Sequence, residues 1–174
     1  MQRKLALTIA LALVAAAPIA RGDASYRYEG NAFQTVAGRY TTEDSLSGTI
    51  GIPSVLAPNL ANAMLTLSDW SFSDGLKVFT PANSTVDFPM VSTDAGGHIV
   101  GWSFDFSDGA GEVMGTFDNG PGDQIDQATD FTGGNSLASN QNLPGSWSLV
   151  PEPAASVLAW LSLALLAIKA PRSG

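Results

Sequence analysis

HIVGWSFDF, running from His98 to Phe106, is the stretch that decides the fold. Val100, Trp102, Phe104 and Phe106 fall on one face of it; Ile99, Gly101, Ser103 and Asp105 fall on the other. A period of two belongs to a strand with one buried face, because successive Cβ atoms point to opposite sides of a sheet. Outward from there the period returns in Leu46, Gly48, Ile50 and Ile52, and in Val86, Phe88 and Met90, where Pro89 implies an edge or a strand end. Leu65 and Leu67 alternate, then the parity shifts to Trp70 and Phe72, which predicts a bulge near Ser68-Asp69. Shorter candidates are Tyr26 to Tyr28, Leu76 to Thr80, Val113 to Phe117 and Trp147 to Leu149. Asp74-Gly75, Asp108-Gly109 and Asn119-Gly120 punctuate these runs as turns. The expected fold class is all-β: an antiparallel β-sandwich or jelly-roll-like domain.

Two stretches lack the alternation. Pro53 to Ala63 carries prolines and reads as a helical turn or a loop. Asp118 to Asn142 is polar and glycine-rich and reads as a long surface loop with a short strand around Phe131. There is one internal echo: Phe72-Ser-Asp-Gly75 and Phe106-Ser-Asp-Gly109 each close an alternating run. Two strands entering similar turns account for it, and a duplicated hairpin is the sharper alternative.

The ends differ from the middle. Arg3 and Lys4 precede an apolar stretch, Leu5 to Ala17, and small residues follow. That is the pattern of a secretory signal peptide over residues 1–24, with cleavage after Ala24 and Gly22 at the earlier small-residue position; an uncleaved anchor is the alternative. At the other end Val150-Pro151-Glu152-Pro153 leads into an apolar run, 154–168, followed by Lys169 and Arg172. The run's 15 residues make a helix of about 22 Å, short for a bilayer core of about 30 Å. Lys169 and Arg172 can snorkel and mark the cytoplasmic side. A core helix is the alternative, yet the run has no polar stripe.

The order Pro151-Glu152-Pro153, apolar helix, basic end, behind a signal peptide, resembles the PEP-CTERM sorting signal of Gram-negative bacteria, here over residues 151–174. The resemblance implies recognition by an exosortase-like membrane protease-transpeptidase after signal peptidase has acted. It further implies a transient stay in the inner membrane, then release to the cell surface or extracellular matrix. Pro151, Glu152 and Pro153 are then substrate residues. Phe72-Ser73-Asp74-Gly75, Val91-Ser92-Thr93-Asp94-Ala95 and Trp102 are similar to small exported proteins with such a tail, a likeness that implies no activity.

Between these ends, residues 25–150 form one domain's length of chain. It holds 14 of the 16 acidic residues against 3 basic ones, Arg27, Arg39 and Lys77, a net charge of −11. Nucleic acid is therefore excluded as a partner, since phosphate binding needs clustered Lys and Arg. There is no cysteine and one histidine, His98, so thiol chemistry and the usual zinc sites are excluded.

No catalytic, cofactor-binding or metal residue is assigned. His98 with Ser92 and Asp94 is weighed as a catalytic set, but no nucleophile elbow surrounds any serine and a lone histidine at a strand start reads as surface. Asp118, Asn119, Asp123, Asp126 and Asp130 offer oxygen ligands for calcium without EF-hand spacing, so a solvated acidic loop is the plainer reading. Glu29, Glu43 and Glu112 single out no glycosidase pair. Trp70, Trp102 and Trp147 could stack a sugar but on alternating strands read as core. Asn83-Ser84-Thr85 is a sequon of little weight in a bacterium, and Thr41-Thr42 is too short for an ice-binding array. The sequence thus points to an exported, non-enzymatic surface or extracellular-matrix protein, with extracellular polysaccharide as a partner. The alternative is a carbohydrate-binding or carbohydrate-active β-sandwich module.

Overall fold

The computed structural model describes residues 23–132 and 134–151. The membrane helix expected over 154–168, and the signal peptide up to residue 22, lie outside the described residues. The described chain is all-β: β1 Ala24–Ala32, β2 Thr35–Ala37, β3 Ser45–Ile52, β4 Ala63–Met64, β5 Asp69–Ser73, β6 Val78–Phe79, β7 Thr85–Thr93, β8 Ile99–Ser107, β9 Glu112–Asp118, β10 Gln124–Asp130, β11 Ser136–Gln141 and β12 Ser146–Val150. They make two antiparallel sheets, a five-stranded one in the order β12-β1-β3-β5-β6 and a seven-stranded one in the order β2-β11-β10-β9-β8-β7-β4.

The sheets meet through aromatic side chains. Tyr28, Phe72 and Trp147 come from the five-stranded sheet, and Trp102, Phe104 and Phe106 from β8. Phe72 stacks on Phe106 with ring centres 4.6 Å apart, and Trp147 lies 5.2 Å from Phe104. A fully buried side chain of this size stabilises the fold by about 1.5–3 kcal/mol relative to exposure, which makes this cluster the main link between the layers. Gly48 is part of it, because a Cβ there would collide with Cγ of Phe72.

The decisive stretch is β8, with Trp102, Phe104 and Phe106 inward as the alternation requires. Val100 departs from it and is 55% exposed, because the register shift at Ser92/Thr93 skips it and Ile99 packs on the core instead. In β7 the alternation fails at Phe88, which adopts φ +52° in a register shift between Asp87 and Met90 and is 63% exposed. The bulge expected at Ser68-Asp69 is instead a change of sheet. The Leu65 N–H donates to Pro89 O beside β7, while the Ser68 N–H donates to Gly51 O in the five-stranded sheet. Leu65 and Trp70 therefore serve different layers, which shifts the parity. Pro53 to Ala63 forms no helix and runs as a loop into β4.

The largest correction concerns Asp118 to Asn142. This is not a surface loop but the hairpin β10–β11, and Phe131 lies in its turn, 57% exposed. Ala128 and Ala138 are buried on it, next to Asp126, Asp130, Ser136 and Asn140. Polar side chains occupy inward positions, so hydropathy alone hides the strands.

Candidate functional site

Three places gather the chemistry-bearing residues. The first is the end of the body where the chain enters and leaves. In register, Ala24 faces Ile52 and Ser25 faces Val150, so the first and last strands lie side by side. Ala24, the expected cleavage residue, is the first residue of β1 and is buried. Pro151 is exposed immediately after β12; Glu152 and Pro153 lie outside the described residues. The β7–β8 turn sits at this end too. There Asp94 Oδ1 accepts the N–H groups of Gly96 and His98, and Oδ2 lies 3.1 Å from Nδ1 of His98. Those bonds, the backbone one from His98 first, hold the Asp94 carboxyl below the usual range. Ser92 is not part of that pair: its hydroxyl donates to Asn62 Oδ1 and accepts the Asn62 N–H. The three residues weighed as a catalytic set are thus split into a turn clasp and a loop anchor.

The second place is the opposite end, where the Phe-Ser-Asp-Gly echo acquires a physical meaning. Asp74 Oδ1 accepts the N–H groups of Leu76 and Lys77; Asp108 Oδ1 accepts those of Ala110, Gly111 and Glu112. Ser73 and Ser107 accept from Gly75 and Gly109, and both glycines have positive φ. The same turn device closes a strand in each sheet. Lys77 then crosses between them to Asp108 at 2.6 Å and to Glu112. Arg39 bonds Asp130 and lies 3.5 Å from Glu112, and the Tyr40 hydroxyl donates to Asp74 Oδ2 at 2.6 Å. The Lys77 ammonium holds the Asp108 carboxyl far below its ordinary range, and both carboxylates raise Lys77 in return. Burial first, then Asp74, pushes the Tyr40 hydroxyl up. Two of the domain's three cations are engaged here: Lys77 fastens one sheet to the other, and Arg39, just after β2, binds carboxylates of the seven-stranded sheet.

The third place lies between the sheets. Thr116, Asp126 and Asn140 stand side by side across β9, β10 and β11, all buried. The Tyr28 hydroxyl donates to Asp126 Oδ1 at 2.6 Å and accepts the Gly145 N–H; Trp102 Nε1 donates to Thr116. Asp126 Oδ2 has no hydrogen-bond partner, and burial raises its carboxyl above the ordinary value. On the outer face of the seven-stranded sheet, burial and the opposing Asp87 raise Asp105 as well.

The calcium donor set is therefore dispersed. Asp126 and Asp130 are inside, one against Tyr28 and the other against Arg39, while Asp118 and Asp123 engage Gln124 and Asn119 at the β9–β10 turn. Among the described residues no group of three or more His, Cys, Asp or Glu side chains is placed to hold a metal ion. Trp102 and Trp147 belong to the aromatic cluster, and Trp70 donates to Ser84, so the three form no shared platform. Asn83 of the sequon caps its own turn, accepting from Thr80 and donating to Val78 O. Glu29 pairs with Arg27 on the surface at 2.7 Å. No family model, curated protein or solved structure matches this chain.

Proposed function

We propose that the chain is an exported, non-enzymatic protein of the cell surface or extracellular matrix, its sandwich-type body sorted through Pro151-Glu152-Pro153 and the apolar run behind it. The observation that carries the reading is where the motif falls. The last strand ends at Val150 and Pro151 follows it exposed, so a processing enzyme acting at 151–153 would cut outside the folded body. The extreme acidity of the body and its lack of cysteine suit an exported, soluble domain. On this reading signal peptidase acts after Ala24 before folding, and the inner membrane holds the protein by residues 154–168 until release.

The test is intact-mass analysis and fractionation of the protein from a host that encodes an exosortase. The expected mature chain begins at Ser25, lacks the apolar run and is found outside the inner membrane. Pro151→Ala with Glu152→Ala is expected to leave the full C-terminus in the membrane fraction. Recovery of an intact C-terminus in the wild type, outside the membrane, would refute the proposal.

A further inference from the structure

The chain from Ser45 to Ser68 contains no charged residue, although the domain around it carries a net −11. Much of that stretch lies at the end where the chain leaves the body, because Ile52 faces Ala24 and Val55 shares a cleft of about 160 Å³ with Trp147 and Leu149 of β12. A second cleft, about 370 Å³, lies on the other side of Val55 and reaches Met64. Val55 is 61% exposed, Met64 62% and Leu149 48%. Exposed apolar side chains gathered at one end of so acidic a domain call for a partner that is not water.

The connection to the apolar run names that partner. Only Pro151, Glu152 and Pro153 separate Val150 from Ala154. Three residues reach about 10 Å when fully extended. The headgroup layer on one side of a bilayer is itself about 5–7 Å deep. A run of 15 residues, about 22 Å as a helix, is shorter than the hydrocarbon core and draws its junction inward. We propose that, while the run is inserted, this end rests in the bilayer headgroup region, with Val55, Met64 and Leu149 as its contact side chains. The inference rests on the tether reading above.

Carboxylates stand at both ends of the body. The clasp carboxylates Asp74, Asp108, Glu112 and Asp130 lie at the opposite end, away from anionic headgroups. Asp94 at the near end is bonded to His98 and Asp69 flanks Gly51, while Asp118 and Asp123 of the β9–β10 turn stand at the same end, bonded to Gln124 and Asn119. The lipid-facing side chains therefore sit within an acidic rim, and contact is expected to weaken as the anionic lipid fraction rises.

The chain's lack of cysteine permits a direct test. Val55→Cys, Met64→Cys, Thr42→Cys and Ser162→Cys, each in the full-length chain, carry an environment-sensitive fluorophore in vesicles of phosphatidylethanolamine and phosphatidylglycerol with brominated acyl chains. Thr42 is exposed near the start of β3, at the opposite end. Labels at 55, 64 and 162 are expected to be quenched by the brominated lipid, with those at 55 and 64 losing about two-fold more emission than the label at 42. Quenching at 162 with 55 and 64 behaving like 42 overturns the inference and leaves the tether intact. No quenching at 162 removes the tether and the inference with it. Labels at 55 and 64 shielded from iodide but untouched by brominated lipid mean that protein covers this end, which also overturns it.

Discussion

Asp126 offers the sharpest test of the body's physics. It is 1% exposed, accepts from the neutral hydroxyl of Tyr28, stands beside Thr116, and leaves Oδ2 unpartnered. Tyr28→Phe removes that donor and also the acceptor of the Gly145 N–H. Each buried group left unpaired costs about 1–3 kcal/mol, so the loss is about 2–5 kcal/mol. Asp126→Asn keeps an acceptor for Tyr28 and removes the buried charge but puts an amide NH2 in the unpartnered Oδ2 position, so its cost at neutral pH is about 1–2 kcal/mol, below that of Tyr28→Phe. The pH dependence separates the two further. Burial raises the folded Asp126 carboxyl above its unfolded value. Folding then favours the protonated form, and the wild type loses stability as pH rises from the unfolded value through the folded one. Asp126→Asn lacks that decline, so its stability relative to wild type improves across the same window. Urea unfolding from pH 4 to 8 reads the difference through Trp102 and Trp147, whose rings lie 5.8 and 5.0 Å from Tyr28. Equal destabilisation by both substitutions at every pH would show that the fold requires the charge, and the account of this buried row would be wrong.

Other substitutions address other parts. Gly48→Ala places a Cβ against Phe72 and is expected to cost about 1–3 kcal/mol, read as a lower urea midpoint. Phe88→Gly relieves a left-handed backbone under a 63% exposed ring, so it should be neutral or stabilise by up to about 1 kcal/mol in the same assay. Lys77→Met strands Asp108 and Glu112 and is expected to cost about 2–3 kcal/mol, less than a fully buried pair because Lys77 is partly exposed. Because Lys77 depresses the Asp108 carboxyl, that stability is present above the unfolded carboxyl value and lost as pH falls, so wild type and variant should converge in acid. A stop after Val150 should leave the cooperative unfolding transition intact. A stop after Gly145 removes β12 and Trp147 from the aromatic cluster and should abolish it, as followed by near-ultraviolet circular dichroism.

The alternation in β8, β3 and β1 made the all-β fold legible, because there one face is apolar and the other polar, and the Asp-Gly and Asn-Gly turns were legible for the same local reason. The β10–β11 hairpin was not. Its inward positions hold Asp126, Asp130, Ser136 and Asn140, which pair with Tyr28, Arg39, the Arg39 N–H and the Gln34 N–H from distant parts of the chain. A polar residue satisfied by a partner about a hundred positions away looks, in sequence, like a residue of a solvated loop. The sheet change between Leu67 and Asp69 was hidden differently: a parity shift marks both a bulge and a crossover, and only the strand pairing tells them apart. The uncharged stretch Ser45 to Ser68 was visible in the sequence, but its position beside the chain's exit depends on the register of β1, β3 and β12.

On the export reading, that register links folding to sorting. β12 is the last strand of the body, yet it pairs with the first, so the five-stranded sheet closes only when Val150 reaches Ser25. Such long-range pairing is slow, because the closure entropy of the intervening chain is lost before the contact is gained. Trp147 rides on that strand and touches rings from both sheets, so the core is incomplete until the strand arrives. On the export reading, these residues are the last to cross the membrane before the apolar run stops in it. A tether three residues beyond Val150 would then keep the incomplete body at the bilayer, with the uncharged stretch Ser45 to Ser68 on the side of the lipid. Once β12 docks, the strand pairing fixes Val150 and leaves Pro151 exposed, so on that reading the motif lies just outside the completed body.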